Sequence, residues 1–389
     1  MKFTVDRVRF ADAVAWVAKA ADSAHSTTPI LAGMLIDAAE SGELHLSAYD
    51  YEMSSRAAVS AIVSEPGDCL VSAAVLGKLM AAADGDEVEV SCDDRTVTIT
   101  CGRDVWDLAL MNAYDYPSLP QIDEPTGRVS ADDLAAAFKQ VGPVVHRGKG
   151  AEIGHTGVYF DVEGDSLALV ATDRVRLAAT EIPWQSDDPD TYTAIVPPRL
   201  VADFCAAASG EVGVAFTRGH DGKVTVVALS CAGRVSTVRV IEASFPAWRN
   251  YFARVEEAVS KAQEAGTAAV VRVETDVLSR ALTKAGAVIE DRSGAPAKLH
   301  IEVIPGKGLH LTGGDIADNL AKFDTEVEAD VVGQQFPMLF MMSLLSGALS
   351  GLRCNQATLS IHGKVSPVLI QPVSDDSTHR LLLQPLRKT

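Results

Sequence analysis

The 389-residue chain holds six cysteines and no CxxC pair among them. Cys69, Cys92, Cys101, Cys205, Cys231 and Cys354 are scattered along its length. They read as reduced, mostly buried thiols of a cytoplasmic protein, not as a disulfide frame or a zinc ribbon. The nine histidines show no zinc spacing with cysteine, and no HExxH helix occurs. Five Gly-Lys pairs exist, at Lys78, Lys149, Lys223, Lys307 and Lys364, but none is followed by the Ser or Thr of a Walker loop. A GxSxG nucleophile elbow is missing too. No apolar run approaches the ~20 residues of a membrane span. The opening MKFTVDRVRF lacks the apolar core and cleavage site of a secretory signal. Basic residues are also scarce: 34 against 52 acidic ones leave a net charge of −18. That balance argues against a grip on nucleic acid by bulk charge, while leaving room for a local basic surface. The expectation is a protein with no cofactor, no metal, no membrane partner and no catalysis of its own.

What the chain does have is repetition. Hydrophobic residues at 47% and charged ones at 22% suit a folded protein long enough for two to four domains. Three segments run from a strand-like valine into a helical pattern: Val5 to Phe10, Val129 to Leu134 and Val273 to Leu278. A second signature pairs alternating leucines with an aspartate six residues on, at Leu44–Asp50, Leu167–Asp173 and Leu309–Asp315. Such a pattern reads as a half-buried strand ending in a corner, so Asp50, Asp173 and Asp315 are expected to be turn residues. A third signature, strand then Ser or Pro then an alanine-rich helix ending in glycine, spans Leu70–Gly85 and Ile195–Gly210. Its weaker third copy has Val331 and Val332 leading into a helix over Phe336–Gly347. Each unit closes with alternating runs, the last being Trp106–Met111, Val235–Ile241 and Leu381–Leu383. The spacing predicts three tandem α+β domains of about 125 residues, each with two helices and antiparallel sheet. The boundaries fall at 1–124, 125–253 and 254–389, with 254–266 a charged helical connector.

With the repeats in place, the motifs Thr28–Leu31, Ala171–Ala178, Ile195–Pro197, Ser244–Arg249 and Leu381–Arg387, with the opening MKFTVDR, resemble the bacterial DNA polymerase III beta subunit family of sliding clamps. The Asp173-Arg-Val-Arg176 form looks closest to the actinobacterial branch. The resemblance covers essentially the whole chain. It implies a DNA clamp fold in which two copies close head to tail into a ring around double-stranded DNA, with helices lining the hole. The DNA would be held topologically, through weak direct contacts. Further partners implied are the DNA polymerase III alpha subunit, the clamp loader and other proteins carrying a clamp-binding motif.

The resemblance also implies three sets of residues. The hole-facing set is His25, Lys78, Lys139, Arg147, Lys149, Arg199, Arg280 and Lys284; His25 stands where the family often has arginine. On the helix after Val273, the apolar Leu278, Ala281, Leu282 and Ala285 form one face, with Arg280 and Lys284 one turn apart on another. The partner-peptide groove would use His155, Thr172, Asp173, Arg174, Arg176, Leu177, Pro246 and Asn250. From the third repeat it would add Val365, Pro367, Val368, Leu382, Gln384, Pro385, Leu386 and Arg387. The subunit interface would use Trp106, Val288 and Ile289. Three departures stand out: His155 replaces an aliphatic residue, Gln384 replaces a flexible methionine, and Met338 replaces a tyrosine of the groove wall. They predict a groove with altered affinity, and leave a specialised clamp copy or a three-repeat interaction scaffold as alternatives to a replication clamp.

Overall fold

The computed structural model describes residues 1–21, 28–148, 150–186, 190–289, 296–314, 321–374 and 376–387. Among them run seven helices: α1 (Arg7–Val17), α2 (Ala73–Ala82), α3 (Ala131–Val141), α4 (Pro198–Cys205), α5 (Trp248–Glu264), α6 (Thr275–Gly286) and α7 (Met342–Leu352). The helix starts carry the chemistry the repeats advertise. Asp6 caps α1 by accepting from the Arg9 amide at 2.9 Å, and Ser72 caps α2 through the Val75 amide at 3.4 Å. Pro198 opens α4, where a missing N–H costs nothing.

The chain folds as two compact units, and the middle repeat contributes to both. Unit 1 comprises residues 1–132, 185–190 and 199–240. It holds a five-stranded sheet in the order Ile62–Glu65, Lys2–Asp6, Glu87–Cys92, Thr96–Cys101, Asp104–Ala109. It also holds a nine-stranded sheet, in which the second repeat's closing strand Arg234–Arg239 pairs antiparallel with the first repeat's Met53–Ser60. Buried Ser54–Thr237 and Ser55–Ser236 hydroxyl pairs, 2.7 and 2.8 Å apart, tie that seam.

Unit 2 comprises residues 133–184, 191–198 and 241–389. Its nine-stranded sheet repeats the arrangement one step along: the third repeat's Arg380–Leu383 pairs with the second repeat's Arg176–Pro183. A four-stranded sheet follows, in the order Phe323–Val327, Gly308–Gly313, Lys298–Ile304, Phe336–Met341. One sequence expectation needs correction. Residues 336–341 form a strand, because Phe336, Met338 and Phe340 alternate inward; the helix begins only at Met342. Most of the 254–266 segment is helical, as part of α5, which starts at Trp248 and buries Trp248, Phe252, Val255 and Val259. These residues recur at helical spacing and pack with Val170, Leu177, Ala179, Leu369 and Leu382 in one core.

Asp161 anchors this helix. Its carboxylate, nine-tenths buried, accepts the Trp248 indole N–H at 2.8 Å and pairs with Arg249. Asp161→Ala leaves that buried N–H without its acceptor and Arg249 paired with Glu163 alone, 3.2 Å away, so the unfolding free energy should fall by about 2 kcal/mol. Urea titration checks it: a loss below ~0.5 kcal/mol would place the anchoring elsewhere.

Candidate binding groove

A cavity of about 340 Å3 opens in unit 2, within the size range of small-ligand pockets. Nine residues named from the sequence line it: His155, Thr172, Arg174, Arg176, Leu177, Pro246, Pro367, Leu382 and Gln384. Glu152, Val175 and Tyr251 complete it and were missed. Val175 sits inside the Asp173-to-Arg176 turn and Tyr251 follows Asn250, so sequence adjacency was the available signal.

The turn that builds the floor is local chemistry. Asp173 Oδ1 accepts from the Val175 and Arg176 amides at 3.0 and 2.6 Å, while Thr172 Oγ1 donates to the Arg176 carbonyl at 2.7 Å. Asp50 makes the same turn in the first repeat, with Glu52 and Met53 amides at 2.9 and 2.6 Å. Arg174 and its counterpart Tyr51 both take positive φ, 75° and 72°, so this backbone belongs to the turn and not to the groove alone. Asp315 lies outside the described residues.

The two groove arginines differ. Arg176 is buried and committed: Nε donates to Asp173 Oδ2 at 2.8 Å and Nη2 to the Pro143 carbonyl at 3.0 Å. Gly347 of α7 leaves room for it, since a Cβ there would stand 2.6 Å from Nη1. Arg174 is half in solvent and pairs only with the equally exposed Glu152, a contact worth little and easily exchanged. Gln384, just past its strand, is held to the loop before the neighbouring strand, donating Nε2 to the Val365 carbonyl at 2.7 Å. Around these fixed polar groups stand Leu177, Pro246, Tyr251, Pro367 and Leu382. Apolar walls with a few oriented polar atoms suit the anchor side chains of a short extended peptide.

Other expected groove residues do not line the cavity. Asp173 stands behind Arg176, while Val368 and Pro385 are buried. Asn250, Val365 and Arg387 are exposed beside the cavity walls in sequence, and the Leu386 amide donates to the Leu339 carbonyl at 2.7 Å. Met338, expected in the wall, is buried beneath the four-stranded sheet's inward face. A larger cavity of about 980 Å3 in the same unit is walled by Asp133, Glu181, Glu274 and Asp376 with Arg353. Ile182, Pro183, Leu352, Pro372 and Val373 also line it, but four carboxylates stand among them, so the smaller groove is the better candidate for an apolar peptide.

The basic set is on helices or next to them, and it is exposed: Lys78 on α2, Lys139 on α3, Arg147 after α3, Arg199 on α4, Arg280 and Lys284 on α6. Arg199 is partly neutralised by Asp203 at 3.5 Å. On α6 the apolar face is buried as the spacing predicts. His25 and Lys149 lie outside the described residues. Trp106 is half-buried on an edge strand. Val288 is half-buried, but Ile289 turns inward, with Cδ1 against Gly313, so it is a core residue of its own chain. Among the described residues no cluster of three or more His, Cys, Asp or Glu side chains is placed to hold a metal ion, and no helix is long and apolar enough to cross a membrane.

Comparison with known proteins matches this architecture from end to end. Residues 1–120, 129–247 and 265–386 match the N-terminal, central and C-terminal domains of the DNA polymerase III beta subunit. The chain is 31% identical to the beta sliding clamp of Streptomyces coelicolor over 100% of this chain and 99% of that one. It is 26% identical to the beta sliding clamp homolog GriR of Streptomyces muensis, over 100% and 99%. Solved structures of the DNA polymerase III beta subunit from Pseudomonas aeruginosa and the sliding clamp from Bacillus subtilis superpose with TM-scores of 0.87 at 18% and 20% identity, each covering 100% of both chains. With three tandem domains in the family's order and a relative matching along the full length, the chain belongs to the DNA polymerase III beta subunit family, the bacterial sliding clamps.

Proposed function

We propose that two copies of this chain close head to tail into a ring around duplex DNA, and that the groove tethers replication proteins, the polymerase among them, by short hydrophobic segments. The ring's part is topological retention without catalysis. Weak phosphate contacts suit that role, because each neutralised phosphate adds affinity that would hinder sliding. Lys78, Lys139, Arg199, Arg280 and Lys284, exposed on helices of a chain of net charge −18, fit such a division.

The observation that carries the ring is a missing strand partner. At both seams within the chain, the closing strand of one repeat pairs with the fourth strand of the repeat before it: Arg234–Arg239 with Met53–Ser60, and Arg380–Leu383 with Arg176–Pro183. The equivalent strands left over are Asp104–Ala109, at the edge of the five-stranded sheet, and Phe323–Val327, at the edge of the four-stranded one. A second copy supplies each edge with its mate and makes nine strands from five and four, matching the other two sheets. Loading the protein with a bacterial clamp loader onto nicked circular plasmid tests this: the protein should stay on circles and be lost when they are linearised. Equal loss from both would sink the ring.

For the groove, Val175→Asp puts a carboxylate among the apolar walls, and the backbone amide that holds the turn is unaffected. Affinity for a hydrophobic polymerase-derived peptide should fall at least about 30-fold, the desolvation cost of an unpaired charge. Fluorescence anisotropy measures it; unchanged affinity would remove the groove from the reading.

A further inference from the structure

We propose that His155 makes the groove selective for partner peptides that set a hydroxyl-bearing residue, Ser or Thr, against its imidazole. This rests on the peptide-groove reading above. His155 lines the cavity with its side chain only 8% exposed. Its Nδ1 is sealed from solvent and has no hydrogen-bond partner. Its Nε2 stands 3.7 Å from Glu152 Oε2, beyond hydrogen-bonding distance, while Arg174 pairs with the other oxygen, Oε1. The imidazole therefore faces the cavity with its hydrogen-bonding capacity unspent, which is uncommon for a buried polar ring.

The backbone that carries the ring is held in place. Its amide donates to the Glu152 carbonyl at 2.9 Å, and its carbonyl accepts from the His146 amide at 3.0 Å. Gly154 packs so closely under Ser244 that a Cβ would stand 2.6 Å from the carbonyl oxygen. On that backbone a ring only 8% exposed has little room to turn toward another partner, so an occupant supplies one. Nε2 is the nitrogen an occupant can reach, and a neutral imidazole presents there either a donor or an acceptor. A hydroxyl serves both cases, because it donates and accepts. An aliphatic residue in the same place seals both nitrogens away unpaired, and sites built around a hydrogen bond reject analogues that lack it.

Capped Leu/Phe tetrapeptides carrying Thr, or its isostere Val, at each position in turn provide the probe, titrated calorimetrically against the full chain. At one position the Thr peptide should bind about tenfold tighter than its Val twin. His155→Leu should bring that ratio to about one, and His155→Gln, which keeps a donor and an acceptor, should retain part of it. A ratio equal in the parent and in His155→Leu, or no Thr preference at any position, overturns the proposal while leaving the groove standing. Failure of every peptide to bind the parent overturns the groove itself, and the proposal with it.

Discussion

Trp106→Asp is expected to leave the protein as a protomer of 41.1 kDa, where the parent should scatter with twice that mass. The internal seams give the register. Tight hairpins join Cys231 to Arg234 and Cys101 to Asp104, which makes Trp106 the equivalent of Ser236. Ala48 and Gly313 each stand two residues before the aspartate of the leucine–aspartate signature in sequence and face Ser55 and Phe323, which makes Phe323 the equivalent of Ser55. Since Ser236 faces Ser55, Trp106 of one copy should face Phe323 of the next. Both side chains are half-buried in the single chain, on the same faces as buried Leu108 and Val327, as a pair waiting for cover requires. Losing an aromatic pair and burying a carboxylate costs about 3 kcal/mol per seam, and the two-fold symmetry of the ring applies it twice. One position along, Asp107 should face Lys322, as Thr237 faces Ser54. Asp107→Lys and Lys322→Asp should each weaken the dimer, and the chain carrying both should recover it. Sedimentation at micromolar concentration reads all four proteins; a Trp106→Asp protein that stays dimeric removes the register.

That register was out of reach of sequence reasoning, although the repeats were not. Helices and strands with strong period, such as α6 or the Gly308–Gly313 strand, were legible because each buries one face and the pattern has to show it. Asp50 and Asp173 were legible as turn residues because their side chains bond to amides only two and three positions on. The misreadings come from tertiary context. Phe336–Met341 has the hydrophobicity of a helix start, and only its pairing with Lys298–Ile304 makes it a strand. Ile289 has the look of an interface residue, yet its neighbour Gly313 comes from a distant strand. In the groove, the turn and the C-terminal strand were legible as motifs, whereas Glu152 enters only by way of its ion pair with Arg174. The closing strands show the same limit from the other side: their alternation marks three strands, but which fourth strand each one meets is a property of the sheet.

The seam in unit 2 contains a titratable group that should make stability fall with acidity. His379 is 1% exposed, with Nδ1 2.8 Å from Thr180 Oγ1, which in turn lies 3.0 Å from Gln140 Oε1. Its Nε2 is sealed without a partner, so a proton added there has neither water nor acceptor. Burial pushes the imidazole down to about 4, from 6.5 in an open chain. Above pH 6.5 the ring is neutral in both the folded and unfolded states and contributes no pH dependence. Between 6.5 and 4 the unfolded chain takes up the proton and the folded chain does not, so unfolding is favoured progressively; below 4 both are charged and the loss stops. The window corresponds to about 3 kcal/mol at 1.36 kcal/mol per pH unit. His379→Asn removes the titration and keeps a polar side chain beside Thr180. The parent's stability advantage over this variant, measured in urea, should therefore shrink by about 3 kcal/mol from pH 7 to pH 4. The many carboxylates titrate alike in both proteins and cancel in that difference. An advantage that stays constant across the range would mean that the folded chain charges His379 as readily as the unfolded one, which its sealed Nε2 does not allow.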